Sequence, residues 1–350
     1  MTSASNTSEP LLSLKNLSVQ FRTGSGVVRA VDDVSYELNP GETLGVVGES
    51  GSGKSVTVMS LMRLLPEASR PTVTGEALFG GRDLLTLSNR ELRAVRGSGI
   101  ALVPQDPMTC LDPVFKVGKQ IVEALRAHDQ KSRYSALRTR AIELLEMVGI
   151  SQPERRFDQY PHQFSGGMRQ RAMIAMAMAN KPKLLIADEP TTALDVTIQA
   201  QILELLKEMQ REMSIGIVLI THDLRLVSEM ADKVVVMYAG HVVERGDGRT
   251  VFDNPQHPYT LGLMSSLPQA SGSDRWLRPI PGNPPSLANT PSGCPFHPRC
   301  ALANDRAECR TSLPVLRAVA GADHRSACHF TDELTPQKQA ELTSARRATA

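Results

Sequence analysis

The stretch Gly48-Glu49-Ser50-Gly51-Ser52-Gly53-Lys54-Ser55 constrains this chain more than any other. It fits the pattern G-x-x-x-x-G-K-[ST], a loop in which a buried strand turns tightly into a helix. Glycine tolerates positive φ, so successive N–H groups can turn inward and form a nest for an anion. The helix opening at Lys54 adds the positive end of its dipole. The pattern assigns Lys54 to the β- and γ-phosphates of a nucleotide and the Ser55 hydroxyl to Mg²⁺. Gly48, Ser50, Gly51, Ser52, Gly53 and Thr57 complete the candidate phosphate-facing set. Upstream, Thr43-Leu44-Gly45-Val46-Val47 reads as the buried strand. Downstream, Val56, Val58, Met59, Leu61 and Met62 recur at helical spacing.

Bulk properties narrow the class. At 350 residues the chain has room for roughly two domains. A net charge of +2 and 4% aromatic residues argue against a basic nucleic-acid face or base-stacking platforms. No apolar run approaches the length of a membrane span. Met1–Pro10 is Ser/Thr-rich and lacks the basic-then-apolar order of a signal peptide. The expectation is a soluble protein on the cytoplasmic side, with residues 1–10 a flexible N-terminus.

Residues 11–47 read as strands of a small antiparallel layer, ending at Pro40-Gly41-Glu42. Thr72 to Leu85 reads as a further hairpin turning at Gly80-Gly81, and Ile100-Ala101-Leu102-Val103 as a buried strand. From about 115 to 178 the apolar spacing becomes helical, which predicts a helical subdomain inserted into an α/β core. Strand signals return at 184–187, 217–220 and 234–237 with helical stretches between, the order of a parallel sheet. Past residue 250 the chain turns Pro-rich and irregular, and 331–350 reads as a loose tail.

Two further patterns carry chemistry. Leu184-Leu185-Ile186-Ala187 runs into Asp188 and Glu189. Asp188 is the candidate for holding Mg²⁺ through water, and Glu189 for orienting or deprotonating an attacking water. Ser165-Gly166-Gly167 opens a long Ala/Met-rich helix and forms a second anion-binding helix start. Two phosphate-binding starts with one lysine loop suggest a site shared between subunits.

At this point the sequence resembles the ATP-binding subunits of ABC transporters, with Ser165-Gly166-Gly167 similar to their signature motif. The resemblance implies further roles in order. Gln105 is similar to the glutamine that ligates Mg²⁺ and senses the membrane partner. Ala193-Leu194-Asp195 resembles the loop that crosses the dimer interface, and His222 after strand 217–220 resembles the histidine contacting γ-phosphate. Phe21 is the candidate for stacking on adenine. Met168 stands where the superfamily usually has Gln, a form similar to the oligopeptide/dipeptide importer branch. Cys110 and Asp112 stand where Ser and Asn are more familiar. The implied fold is an ABC-type P-loop ATPase core over residues 11–250: a parallel sheet with an antiparallel layer and the inserted helical subdomain. Two such subunits would sandwich ATP, closing on binding and reopening on hydrolysis.

Asn254-Pro255-Gln256-His257-Pro258-Tyr259-Thr260 resembles a segment of oligopeptide and dipeptide importers, making 251–330 the C-terminal extension of that branch. Within it Cys294, Cys300, Cys309 and Cys328 crowd into a Pro-rich region. Four thiolates suit a [4Fe–4S] cluster or zinc, and the loose spacing together with the resemblance favours iron–sulfur. The partners implied are two integral membrane permeases, a second ATPase chain forming a heterodimer, and indirectly an extracytoplasmic substrate-binding protein, but no nucleic acid. The chain would then sit peripherally on the cytoplasmic face of the cell membrane. Peptides are the expected cargo; nickel, haem or glycosides are alternatives, and a soluble ABC ATPase is the remaining rival.

Overall fold

The computed structural model describes residues 9–24, 26–106, 110–192, 194–266, 279–303, 305–319 and 323–345. Among these, the strands are β1 (Leu12–Thr23), β2 (Gly26–Leu38), β3 (Thr43–Val47), β4 (Pro71–Phe79), β5 (Arg82–Asp83), β6 (Ile100–Val103), β7 (Leu184–Asp188), β8 (Gly216–Thr221), β9 (Lys233–Tyr238), β10 (His241–Asp247), β11 (Arg317–Ala318) and β12 (Arg325–Ser326). The helices begin with α1 (Lys54–Leu61), α2 (Asn89–Val95), α3 (Val117–Arg126), α4 (Tyr134–Met147), α5 (Pro153–Phe157) and α6 (Gly166–Ala177). They continue with α7 (Val196–Met213), α8 (Leu224–Met230), α9 (Gly248–Asp253), α10 (Pro258–Ser265), α11 (Ala307–Thr311) and α12 (Pro336–Ala345). The chain divides into two compact units.

The first unit holds Leu38–Thr43 and Phe79–Ile220, with the N-terminal stretch up to Leu11. Its sheet is parallel. β6 pairs with β7 from Ile100↔Leu184 to Val103↔Ala187, and β7 with β8 from Leu184↔Gly216 to Asp188↔Ile220. β7 is buried along its whole length, which explains its unbroken apolar run up to Asp188. Between β6 and β7 stand α3, α4, α5 and α6, the helices anticipated from the spacing. Close approach shapes them: a Cβ on Gly118 would lie 2.2 Å from the Phe157 ring. Lys116 Nζ also reaches Asp158 at 3.0 Å across the same joint. Gln120 on α3 pins the preceding segment, accepting from the Asp112 N–H at 2.9 Å and donating to the Asp112 and Phe115 carbonyls at 3.0 Å. Asp112 closes a local turn onto the Val114 N–H at 3.0 Å, so a carboxylate serves there as an amide oxygen would.

The second unit holds Leu12–Glu37, Leu44–Leu78 and the chain from Thr221 onward. β3 runs parallel to β9, with Leu44↔Lys233 through Val47↔Val236. β9 turns back into antiparallel β10 through Ala239 and Gly240, both at positive φ. β12 extends that sheet along β10 and carries β11 on its far side. β2, β1 and β4 lie in that order in a second sheet.

The C-terminal region departs from the expected loose tail. α12 follows a single 3₁₀ turn at Thr331–Glu333, and Leu334 and Leu342 bury themselves with Leu261, Leu302 and Cys328. Two leucines suffice to dock a polar, Ala-rich helix, and so sparse an apolar pattern is easily read as solvated chain.

Candidate functional site

β3, buried at all five positions, delivers the chain into the glycine loop. Gly48, Gly51 and Gly53 have φ of 154°, 79° and 102°. A Cβ at Gly48 would stand 2.2 Å from the Met237 carbonyl oxygen, and one at Gly53 2.5 Å from that of Ala30. Both obstacles are backbone, so any larger side chain there forces the loop open. The loop is closed by the Gly240 N–H donating to the Ser52 carbonyl at 3.0 Å.

Lys54 is only 5% exposed, and its ammonium donates to the carbonyls of Gly48 at 2.7 Å and Glu49 at 3.0 Å. The Ser52 hydroxyl lies 3.5 Å from the same ammonium. A buried cation arched under glycines at a helix start is the cradle expected for a polyphosphate. Ser55 is half-buried in the first turn of α1, and the Thr57 hydroxyl donates to the Gly53 carbonyl at 2.9 Å. Ser50 and Gly51 lie on the open rim. His222 is exposed directly after β8, and Phe21 is half-buried near the end of β1.

In the first unit, Asp188 closes β7 and is 7% exposed. Glu189 follows with φ 47°, a left-handed backbone that costs a non-glycine residue on the order of 1 kcal/mol. Its N–H donates to the Ile220 carbonyl at 2.8 Å. Its carboxylate oxygen Oε2 accepts from Gln105 Nε2 at 2.9 Å and from the Thr192 hydroxyl at 2.8 Å. The turn therefore aims one carboxylate, and two neutral donors hold it. Sequence reasoning set Gln105 on Mg²⁺; here its partner is Glu189. Thr192 was not singled out at all, and only its place three residues after Glu189 hinted at it.

Ser165 caps α6 by accepting from the Met168 N–H at 3.2 Å, while Asp195 caps α7 by accepting from the Ile198 N–H at 3.0 Å. The two helix starts meet, since a Cβ on Gly167 would lie 2.8 Å from Ile198 and one on Gly166 3.6 Å from Leu194. Ser165, Gly166, Asp195 and Val196 stay exposed beside one another. Ala193, the stretch 107–109 and residues 267–268 lie outside the described residues.

Cys294, Cys300, Cys309 and Cys328 line one cavity of about 10 Å³ together with His257, Phe296, His297 and His329. Burial pushes the thiols up, to about 12 for Cys294 and Cys328 and about 11 for Cys300, and raises Cys309 as well. Among the described residues, no group of three or more Cys, His, Asp or Glu side chains is disposed to hold a metal ion. The four thiols gather at one cavity, but the geometry of the described residues does not by itself supply the expected iron–sulfur or zinc site.

The tyrosines and arginine around the loop complete its setting, and sequence reasoning missed them. Tyr259, fully buried, accepts the Glu49 N–H at 2.8 Å, and Arg299 pairs with the Glu49 carboxylate.

Comparison with known proteins agrees with this geometry. The ABC transporter family profile matches residues 31–192, and the profile of the oligopeptide/dipeptide transporter C-terminal region matches 243–309. The chain is 49% identical over 304 residues to the oligopeptide transport ATP-binding protein OppD of Haemophilus influenzae, covering 87% of this chain and 93% of that one. It is 51% identical over 321 residues to the dipeptide transport ATP-binding protein DppD of Escherichia coli, covering 91% and 96%. Among solved structures, the dimeric ATP-binding cassette MJ0796, in a post-hydrolysis state bound to ADP and phosphate, superposes with TM-score 0.61 at 29% identity. That match covers 68% of this chain and 99% of the cassette. The cbiO1 subunit from Clostridium perfringens gives TM-score 0.60 at 29% identity, covering 70% and 92%. The chain belongs to the ABC transporter family, among the ATP-binding subunits of its oligopeptide/dipeptide branch.

Proposed function

We propose that this chain hydrolyses ATP to power the import of dipeptides or oligopeptides through a membrane transporter. The observation that carries the reading is the closed glycine loop with the Lys54 ammonium held beneath it. Its backbone N–H groups, the start of α1 and the lysine suit a triphosphate, whose Mg²⁺ the Ser55 hydroxyl and Asp188 would hold. The bound nucleotide and metal supply the phosphoryl bond to be broken and the charge that neutralises it.

This chain's residues supply the rest. Lys54, buried beneath the loop, offsets phosphate charge. Glu189 accepts a hydrogen bond from the attacking water, and Gln105 and Thr192 keep its carboxylate turned to that task. Ser165, Gly166 and Asp195, exposed side by side, suit a second ATPase chain, and His222 is the candidate contact to γ-phosphate. Phe21 is the adenine-stacking candidate, supported by its half-exposed place on β1.

In this reading the partners are two permeases, a related ATPase chain and indirectly a substrate-binding protein, and the subunit would sit peripherally on the cytoplasmic face of the membrane. The names of the peptide-transport relatives favour peptide over nickel, haem or glycoside cargo. No helix of the described residues is long and apolar enough to cross a membrane, which suits a peripheral subunit. A four-thiolate cluster is the finer part of the reading; its support is that the four cysteines line one cavity. Iron, sulfide and zinc assays on anaerobically purified protein decide it, with about four irons per chain expected and no metal at all contradicting it.

The test of the ATPase is a pair of variants. Glu189→Gln retains ATP binding and loses hydrolysis by at least a hundredfold, as for a displaced general base. Lys54→Ala weakens binding itself. Near-wild-type turnover in Glu189→Gln would remove Glu189 from the chemistry.

A further inference from the structure

Glu49 is a carboxylate set one residue into a loop built to receive phosphate. A like charge there repels a polyphosphate, and the repulsion grows as the site loses water. The structure answers this charge with residues from the far end of the chain. Arg299 grips the Glu49 carboxylate with both arms, Nη1 to Oε2 at 2.6 Å and Nη2 to Oε1 at 2.9 Å. Its side chain is 5% exposed against 26% for Glu49.

The guanidinium is itself held. Nε donates to the Pro281 carbonyl at 2.9 Å, and Nη1 also reaches the Tyr238 hydroxyl at 3.2 Å. Burial opposes the charge on Arg299, but the hydrogen bonds to Glu49 and Tyr238 outweigh it and hold the group firmly protonated. A planar fork anchored at three points is a rigid strut of a kind a lysine does not supply.

A second support comes from the same region. The Tyr259 hydroxyl accepts the Glu49 backbone N–H at 2.8 Å, so side chain and main chain of one loop residue are both gripped. Tyr259 packs at 4.6 Å on Tyr238 and at 5.3 Å on Phe296, and Phe296 packs at 5.3 Å on Tyr238. Phe296 caps the 3₁₀ turn His297–Arg299, which lies between Cys294 and Cys300. Three aromatic rings thus join the cysteine-bearing turn to the start of the glycine loop.

We propose that Arg299 and Tyr259 are positioning residues for the phosphate-binding loop, Arg299 neutralising Glu49 at its rim and Tyr259 holding its backbone. The C-terminal extension is then part of the nucleotide site. The proposal rests on the reading that the loop takes ATP, and deepens it.

The test measures binding of a fluorescent ATP analogue and thermal stability on the full chain. The variants are Arg299→Gln, Glu49→Gln, the double variant and Lys54→Ala. Arg299→Gln leaves a bare carboxylate and weakens binding about tenfold, a loss that shrinks as salt is raised. Adding Glu49→Gln to it recovers most of the affinity, because the repelling charge is gone. Tyr259→Phe weakens binding without lowering kcat at saturating ATP. A purely structural tie predicts a double variant at least as weak as Arg299→Gln, and that result overturns the proposal, as does wild-type affinity in Arg299→Gln. If Arg299→Gln does not fold, Arg299→Lys replaces it: it keeps the charge but not the fork, and its affinity should fall between wild type and Lys54→Ala, wild-type affinity again overturning the proposal. A wild-type chain that binds no ATP, with Lys54→Ala unchanged from it, removes the underlying reading instead.

Discussion

Glu189 illustrates how single residues here trade backbone comfort for aim. Its left-handed φ of 47° turns the carboxylate towards Gln105 and Thr192, and hydrogen bonds to both maintain that direction. Both of these donors are neutral groups. Gln105→Ala or Thr192→Ala should lower kcat about tenfold while leaving the Kd for ATP unchanged, measured by steady-state turnover beside equilibrium binding. A parallel rise in Kd would make these residues binding contacts.

His257 gives a pH dependence. It is fully buried, its Nδ1 accepts the Tyr259 N–H at 3.1 Å, and burial depresses it to about 3. The folded chain keeps it neutral while the unfolded chain takes up a proton below about 6.5. Stability from this group is therefore complete above pH 6.5 and is lost as pH falls towards 3, by up to about 1.4 kcal/mol per pH unit. Melting temperature should drop from pH 7 to pH 5, and His257→Asn, which still caps α10, should flatten that drop.

At the scale of elements, the loop between β3 and α1 depends on backbone proximity more than on side chains. Gly48→Ala and Gly53→Ala each drive a methyl into a carbonyl, and each should abolish ATP binding and lower the melting temperature. At the other end, Leu342→Ala should cost about 2 kcal/mol in denaturant unfolding, since α12 docks through Leu342 beside Leu334. No change would mean that α12 does not dock in solution.

These elements differ in how openly the sequence announces them. β3, β7, β8 and β9 are short unbroken apolar runs, and α3 to α6 carry helical spacing, so period and length suffice to find them. α12 has too few apolar residues to show a period. β12 is two residues long and exists because β10 offers it an edge. The glycine loop, the carboxylates Asp188 and Glu189 and the Ser165 helix start stand out in the sequence as motifs with fixed neighbours, and their chemical roles belong to the proposed function. Arg299 meets a partner 250 residues away, so no local pattern announces it, and Thr192 is marked only by its spacing of three residues from Glu189. The four cysteines were legible as a cluster, yet spacing alone did not say whether their sulfurs close on a metal; the packing brings them to one cavity.

At the scale of the whole molecule, the exposed group of Ser165, Gly166, Asp195 and Val196 and the exposed Val114 and Phe115 suit a chain that works in company. The most direct test of the account is affinity capture of the tagged chain from gently solubilised membranes of its own host, read by mass spectrometry. The account predicts two multi-span permeases together with a second ABC ATPase. Recovery of ribosomal or DNA-repair proteins with no permease would contradict it.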